Sequence, residues 1–184
     1  MDYKSIKFIN KRKVDYCLVE YNDNEVSKER EVYDVTYTKK SNQPINKDLD
    51  DCRMRMEAHL MFASEFVDNS INLDENMDYE KYFKEFEHQQ DPRFEGVEVS
   101  KVEFVYDKEN KLSGVKIFGK KITQYTDKPF TNDIKTPVIN LNKESDNYYK
   151  LVSILDVQVH DLIAAIDKWL ERGRMLSNSQ LKIA

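Results

Sequence analysis

Apolar positions along this chain alternate between two periods, and the changes of period mark its elements. Ile6 and Phe8 are separated by polar neighbours, and Val14 to Tyr21 is rich in β-formers. Asn22, Asp23 and Asn24 form a turn cluster, and Val32 to Thr38 reads as the next strand. Short connections predict an antiparallel meander over residues 5–38. Ser41 to Pro44 then breaks the sheet. Asn46 is a candidate N-cap, with Asp48 and Asp50 in the first helical turn. Leu49, Cys52, Met56, Leu60, Ala63 and Val67 recur at steps of three and four, which predicts a helix over 46–67.

From Asn69 to Pro92 the pattern weakens. Tyr79, Tyr82, Phe83 and Phe86 recur at helical steps among carboxylates, which predicts a short amphipathic helix inserted between the main elements. Period two returns from Val97. Val102, Phe104 and Tyr106 share a face, a charged turn follows at 107–111, and Val115 and Ile117 oppose Lys116, Phe118 and Lys120. A further strand between Lys128 and Ile139 belongs at an edge, because Pro129 and Pro137 cannot donate to a ladder. Tyr148, Leu151, Leu155, Val159, Leu162, Ile166 and Trp169 trace one face of a helix over 147–171. Gly173 is placed just past its end and residues 177–184 as a frayed tail. The predicted architecture is one α+β domain: an antiparallel sheet of five to six strands, two long helices packed on one face, and a short helical insertion.

Composition narrows the setting. With 184 residues the chain can bury a core without staples. No apolar run approaches the roughly 18 residues of a membrane span, and the charged start does not resemble a secretory signal. Cys17 and Cys52 stand apart and read as reduced core residues, so a cytoplasmic location is expected. The net charge of -5 is unevenly spread. Between Lys47 and Glu98 there are 15 acids against 6 bases; elsewhere 23 bases outweigh 19 acids. Overall acidity argues against a dedicated duplex-DNA binder, which needs many phosphate-neutralising cations, but leaves room for a local basic surface.

Motifs for chemistry are missing. His59, His88 and His160 accompany no nucleophile elbow or Gly-rich turn, and His59 and His160 read as packing or surface residues. Glu87, His88 and Asp91 do not have the spacing of a metal site, and Asp48, Asp50 and Asp51 read as helix N-terminal charge. Glu103 near Lys101 is a poor substitute for a nuclease acid–lysine pair. No enzyme activity, cofactor or metal is expected.

Two surfaces remain. From Lys111 to Lys135 there are 6 lysines and 2 acids, and Lys116, Phe118, Lys120 and Lys121 form a candidate surface for single-stranded nucleic acid. In the insertion, Tyr79, Tyr82, Phe83 and Phe86 are candidate anchors for a protein partner, rimmed by Asp78, Glu80, Glu85 and Glu87. For each surface the plainer reading is a solvated face.

The run from Val102 through the charged turn to Gly114-Val115-Lys116-Ile117-Phe118-Gly119-Lys120-Lys121, then Phe130-Thr131, Lys135-Thr136-Pro137 and a helix ending Trp169-Leu170-Glu171-Arg172-Gly173-Arg174, resembles small uncharacterised proteins of bacteriophages and prophages. The likeness covers about the last 75 residues and consists of fold-forming positions; the acidic insertion departs from that family's compact plan. It carries over no site residues. It implies a viral protein in the cytoplasm of a host bacterium. The expectation is a non-catalytic, phage-encoded protein that engages or inhibits a host protein or defence complex. The alternative is an accessory single-stranded nucleic-acid-binding protein of viral replication or recombination, drawing also on Lys11, Arg12, Lys13, Arg172 and Arg174. A third possibility, a pocket that sequesters a small nucleotide, requires a cationic cleft.

Overall fold

The computed structural model describes residues 2–11, 14–26, 32–40, 44–66, 78, 81–82, 87–123, 130–142 and 149–181. Seven strands run β1 (Asp2–Lys11), β2 (Val14–Val26), β3 (Val32–Lys40), β4 (Val97–Tyr106), β5 (Leu112–Thr123), β6 (Phe130–Lys135) and β7 (Ile139–Asn140). Among the described residues two long helices, α1 (Lys47–Ala63) and α2 (Val152–Leu181), complete the frame. The first six strands form an antiparallel sheet in the order β3-β2-β1-β4-β5-β6, with β7 beside β5. The fold is α+β, with both helices on one face, as the hydrophobic periods predict.

The inward positions are Cys17 and Val19 on β2, Ile6 and Phe8 on β1, Val102 and Phe104 on β4, and Val115 and Ile117 on β5; all are buried. The stripe of α2 lies opposite: Leu155, Val159, Leu162 and Ile166 are each 0% exposed. Asn46 caps α1 as predicted, its side chain accepting from the Leu49 amide at 2.9 Å. Leu60 of α1 rests against Gly119 of β5, where an added Cβ would fall 2.4 Å from the Leu60 side chain and 2.3 Å from the Glu98 carbonyl. Gly119 therefore sets how closely α1 approaches the sheet. Between the helices, His59 is fully buried, with Nδ1 3.0 Å from the Tyr149 hydroxyl and Nε2 3.0 Å from Gln158 Oε1. Arg55 of α1 also pairs with Asp161 of α2 at 3.0 Å.

Several boundaries differ from those the sequence predicts. Asn22 to Asn24 are not a turn; they pair with Thr36 to Asp34 inside a longer hairpin. Turn-favouring composition disfavours a strand without forbidding it, because a ladder needs only backbone groups. The helix α1 ends at Ala63, with Ser64 as cap and Glu65 at φ 56, short of the expected Val67. Gly173 does not end the last helix: α2 runs through it to Leu181, so Ser177 to Leu181 are helical and not a frayed tail. One helical glycine costs roughly 1 kcal/mol, which a 30-residue helix tolerates. The predicted 128–139 strand divides into β6 and β7, both paired with β5 and on the sheet edge as expected. At the break the Thr136 amide donates to the Ile117 carbonyl, and the Thr136 hydroxyl accepts from the Ile117 amide at 3.0 Å. The threonine side chain thus supplies an acceptor just where Pro137 interrupts the strand.

Replacing Leu162 by Ala removes a fully buried side chain and is expected to cost about 2–5 kcal/mol in denaturant unfolding. A change under about 0.5 kcal/mol would show that this stripe of α2 is not core.

Candidate functional site: an open sheet face and a split between two strands

Because both helices lie on one face, the other face of the sheet is left to outward side chains. The strand registers align them in rows. Leu18 of β2 lies opposite Lys7 of β1, Lys7 opposite Lys101 of β4, Lys101 opposite Phe118 of β5, and Phe118 opposite Lys135 of β6. Neighbouring strands are about 4.8 Å apart, so three lysines and an aromatic ring fall in one line across four strands. Lys116 lies two residues along from Phe118. The Lys116 and Lys101 ammonium groups are 5.1 Å and 5.6 Å from the Phe118 ring centroid. The row is flanked by acids. Glu103 pairs with Lys101 at 2.6 Å, and Glu98 pairs with Lys120 at 2.9 Å. Lys7 and Lys135 are exposed.

Of the four residues the sequence nominates for this surface, Lys116, Phe118 and Lys120 face outward. Lys121 does not. It points to the helix side, is 8% exposed, and donates to the carbonyls of Arg93, at 3.0 Å, and Glu95. Burial lowers its pKa, opposed by Glu95. It closes the end of the sheet, because the period of β5 puts it one position out of phase with Lys120. Sequence reasoning missed Lys7, Lys101 and Lys135, which join the surface only through strand pairing. Arg172 is exposed near the far end of α2, and Arg12 and Lys13 lie outside the described residues.

The insertion yields a partial picture. Asp78 is exposed, and its carboxylate accepts from the Lys81 amide at 3.1 Å. Tyr82 is not an exposed anchor: it is 8% exposed, joins the core, and donates to Asp91 at 3.4 Å. Burial pushes its hydroxyl up to about 12, with Asp91 adding to the rise and Arg93 opposing it. The Arg93 guanidinium beside Asp91 holds that carboxyl below its usual range. Glu87 begins a short 3-10 turn (Glu87–Gln90), and a second turn (Pro92–Phe94) packs Phe94 against Phe62 with ring centroids 5.6 Å apart. Tyr79, Glu80, Phe83, Glu85 and Phe86 lie outside the described residues.

A feature with no signal in the sequence lies beside the lysine row. β1 and β4 pair only over Ser5–Lys7 and Lys101–Glu103. No pairing between them is recorded beyond Lys7 and Lys101, next to the bulge that β4 makes against β5 between Val99 and Lys101. The split leaves a cleft of about 560 Å³. Outward residues Ile9, Glu98 and Lys120 ring it on the open face, and Arg53, Met54 and Glu57 of α1 floor it. Arg53 bonds Asp50 at 2.6 Å, lies 4.0 Å from Asp15, and places its guanidinium 5.9 Å from the Phe8 ring centroid. Glu57 has no hydrogen-bond or ion-pair partner among the described residues. Burial pushes its carboxyl up to about 8; Arg53 opposes the rise, and Asp50 and Glu98 add to it. Arg53 and Lys120 face Asp15, Glu98 and Glu57, so this is not the cationic cleft that a phosphate-sequestering pocket requires.

The remaining candidates for chemistry are accounted for by packing. Cys17 and Cys52 are buried and unpaired, and burial pushes their thiols up to about 12 and about 11, with Arg55 opposing the rise at Cys52. His160 is exposed on α2, its Nδ1 2.8 Å from the Asp156 carbonyl. Among the described residues no group of three or more His, Cys, Asp and Glu side chains is arranged to hold a metal ion, and no helix is long and apolar enough to cross a membrane. Comparison with protein-family models, with curated proteins and with solved structures finds no match for the chain.

Because Glu57 binds its proton more tightly folded than unfolded, the unfolded chain releases that proton first as pH rises. Its contribution to stability is present below about pH 4.5 and is lost as pH climbs toward about 8. Glu57→Gln is therefore expected to be more stable than the parent at pH 8, on the order of 1–3 kcal/mol after allowing for solvent screening. At pH 4 the two should differ little. Urea midpoints at the two pH values check this, and an equal difference at both would contradict a buried, proton-holding Glu57.

Proposed function

We propose that the protein is a non-enzymatic binding protein whose open sheet face takes single-stranded nucleic acid, in the setting of a phage inside a bacterial cytoplasm. The observation that carries this reading is the row Lys7–Lys101–Phe118–Lys135 on a sheet face over which no helix lies among the described residues. A flat sheet with a central ring offers a base a stacking partner, and the ammonium groups around it meet the backbone phosphates. Layered charge supports the same reading. Asp48, Asp50 and Asp51 belong to the helix layer, while Lys7, Lys101, Lys116, Lys120 and Lys135 gather on the open face among Glu20, Glu98, Glu103 and Asp133, so that face escapes the net negative charge of the chain. The phage setting rests on the resemblance of the 102–122 hairpin and the closing helix.

Fluorescence anisotropy with a labelled single-stranded oligonucleotide tests it. Binding is expected at 50 mM salt or below, with a log–log salt slope of about −2 if Lys7, Lys116 and Lys135 each meet a phosphate. The Lys7→Ala/Lys135→Ala variant should reduce that slope by about 1.4, and Phe118→Ala should weaken binding by roughly 5- to 100-fold. No binding at low salt, or binding indifferent to these changes, overturns the reading.

A second reading is engagement of a host or viral protein through the acidic-aromatic insertion. Two exposed residues favour it: Phe66, 48% exposed just after α1 and before the segment, and Asp78 within it. Tyr79, Phe83 and Phe86 are then the anchors, with Asp78, Glu80, Glu85 and Glu87 as the rim, and Tyr82 holds the segment to the core. A photo-crosslinker at position 83 should capture one bacterial protein at low salt, and the Glu80→Lys/Glu85→Lys variant should lose it. Capture that ignores both salt and these charges would count against it.

A further inference from the structure

Among the described tyrosine side chains, all but one are committed within the fold. Tyr3 donates to Asp167, Tyr82 donates to Asp91, and the Tyr149 hydroxyl lies 3.0 Å from His59. Tyr21 packs edge-on against Tyr3 with ring centroids 6.1 Å apart, and Tyr106 bonds the Tyr3 backbone. Tyr16 is the exception: among the described residues its side chain makes no hydrogen bond and no ring contact. It lies on β2 opposite Ile9 of β1, in phase with Leu18 and out of phase with the inward Cys17 and Val19. Its half-buried ring is therefore on the open face, away from the core.

We propose that Tyr16 is a second stacking platform, so that the open face holds a single-stranded segment of about three to four nucleotides with its end bases on Tyr16 and Phe118 and a phosphate between them on Lys7. The proposal rests on the single-stranded reading above and adds to it a second base site, a path and a length.

The length follows from the strand registers. Phe118 of β5 lies opposite Lys101 of β4, Lys101 opposite Lys7 of β1, and Lys7 opposite Leu18 of β2; Tyr16 is two residues along β2 from Leu18. Three strand spacings of about 4.8 Å and two residues of about 3.4 Å set the rings roughly 16 Å apart. Stacked nucleotides rise about 3.4 Å each, and an unstacked strand advances about twice that per step, so two to three steps fill the gap. Lys7 stands between the rings, exposed and with no ion-pair partner among the described residues. Acids define the direction. Glu20 and Glu103 lie on one side of the line from Phe118 to Lys7, and Glu98 and Asp133 lie on the other. A phosphate chain running along the strands meets those carboxylates, whereas one crossing them passes between. Stacking is tolerant of base identity, since every base has a π-face, so the segment is selected by length and single-strandedness and not by sequence.

Unlabelled oligothymidylates of increasing length, from the dinucleotide upward, competing at low salt against a labelled strand on the full chain, test this. Affinity is expected to step up between the dinucleotide, which reaches one ring, and the tetranucleotide, which reaches both, and to rise only slowly beyond. Tyr16→Ala should weaken the tetranucleotide by roughly 5- to 100-fold, the worth of one stacked base, and the dinucleotide by no more than about twofold, since Phe118 still serves it. Tyr16→Phe, which keeps the ring, should restore the step. If Tyr16→Ala leaves the tetranucleotide unchanged while Phe118→Ala weakens it, the second platform is wrong and the open-face reading stands. Equal weakening of both lengths by Tyr16→Ala, or a step that Tyr16→Phe does not restore, also overturns the platform. Failure of every oligonucleotide to compete, and of the labelled strand to bind, overturns both.

Discussion

A helix side chain can reach the backbone of a sheet only where the sheet puts no side chain in its way. Gly119 provides that place: Leu60 occupies the space a β-carbon would need, and the Glu98 carbonyl closes the other side. This one close approach seats α1 over β4, β5 and β6. Asn46 fixes where the helix starts, and the helical period then brings Arg53 and Glu57 down toward the sheet on the same side as Leu60. The second helix packs beside the first through Arg55–Asp161 and the His59 network, meets β1 where Tyr3 donates to Asp167, and so covers the same face. With both helices committed to one side, the described residues on the other face are Phe118, the lysines and the acids between them.

The helix layer was legible in the sequence because it depends on spacing. A stripe at three- and four-residue steps stays a stripe whatever it packs against, and Leu155, Val159, Leu162 and Ile166 are buried as the period requires. Strand phase was legible for the same reason on β4 and β5. Helix ends and hairpin turns were less so. Asn22 to Asn24 and Gly173 are residues that permit a change of direction, and permission is all a local preference gives. The ladder with β3 and the length of α2 decided otherwise.

The surface residues divide along the same line. Lys116, Phe118 and Lys120 could be grouped from alternation within one strand. Lys7, Lys101 and Lys135 could not, since their alignment depends on which strands neighbour which and in what register. Lys121 shows the opposite failure: a count of charges along a segment places it on the surface, while period two places it inside. Glu57 gave no signal at all. On α1 it falls one helical turn from Arg53 and looks like half of a solvated ion pair. In the fold Arg53 turns to Asp50 and Asp15 instead, and Glu57 is left facing the split.

On the proposed reading, a chain of net negative charge has to present a polyanion with an acceptable surface. Field depends on distance, and at about 0.1 M salt charges more than roughly 10 Å apart scarcely influence each other. The sheet itself separates the two populations of charge. Asp48, Asp50 and Asp51 belong to the helix layer behind it, whereas Lys7 and Lys135 extend from the front. Of the acids that share the front, Glu98 and Glu103 are each engaged by a lysine, Lys120 and Lys101, while Asp133 lies opposite Lys120 and Glu20 opposite Ser5. Their effect is to lower the general attraction of the face for any anion, so on the proposed reading binding depends more on stacking against the Phe118 ring. A face weakened in its nonspecific attraction would, on that reading, depend more on contacts to the bases than a purely basic one, because less of its binding free energy is common to every sequence.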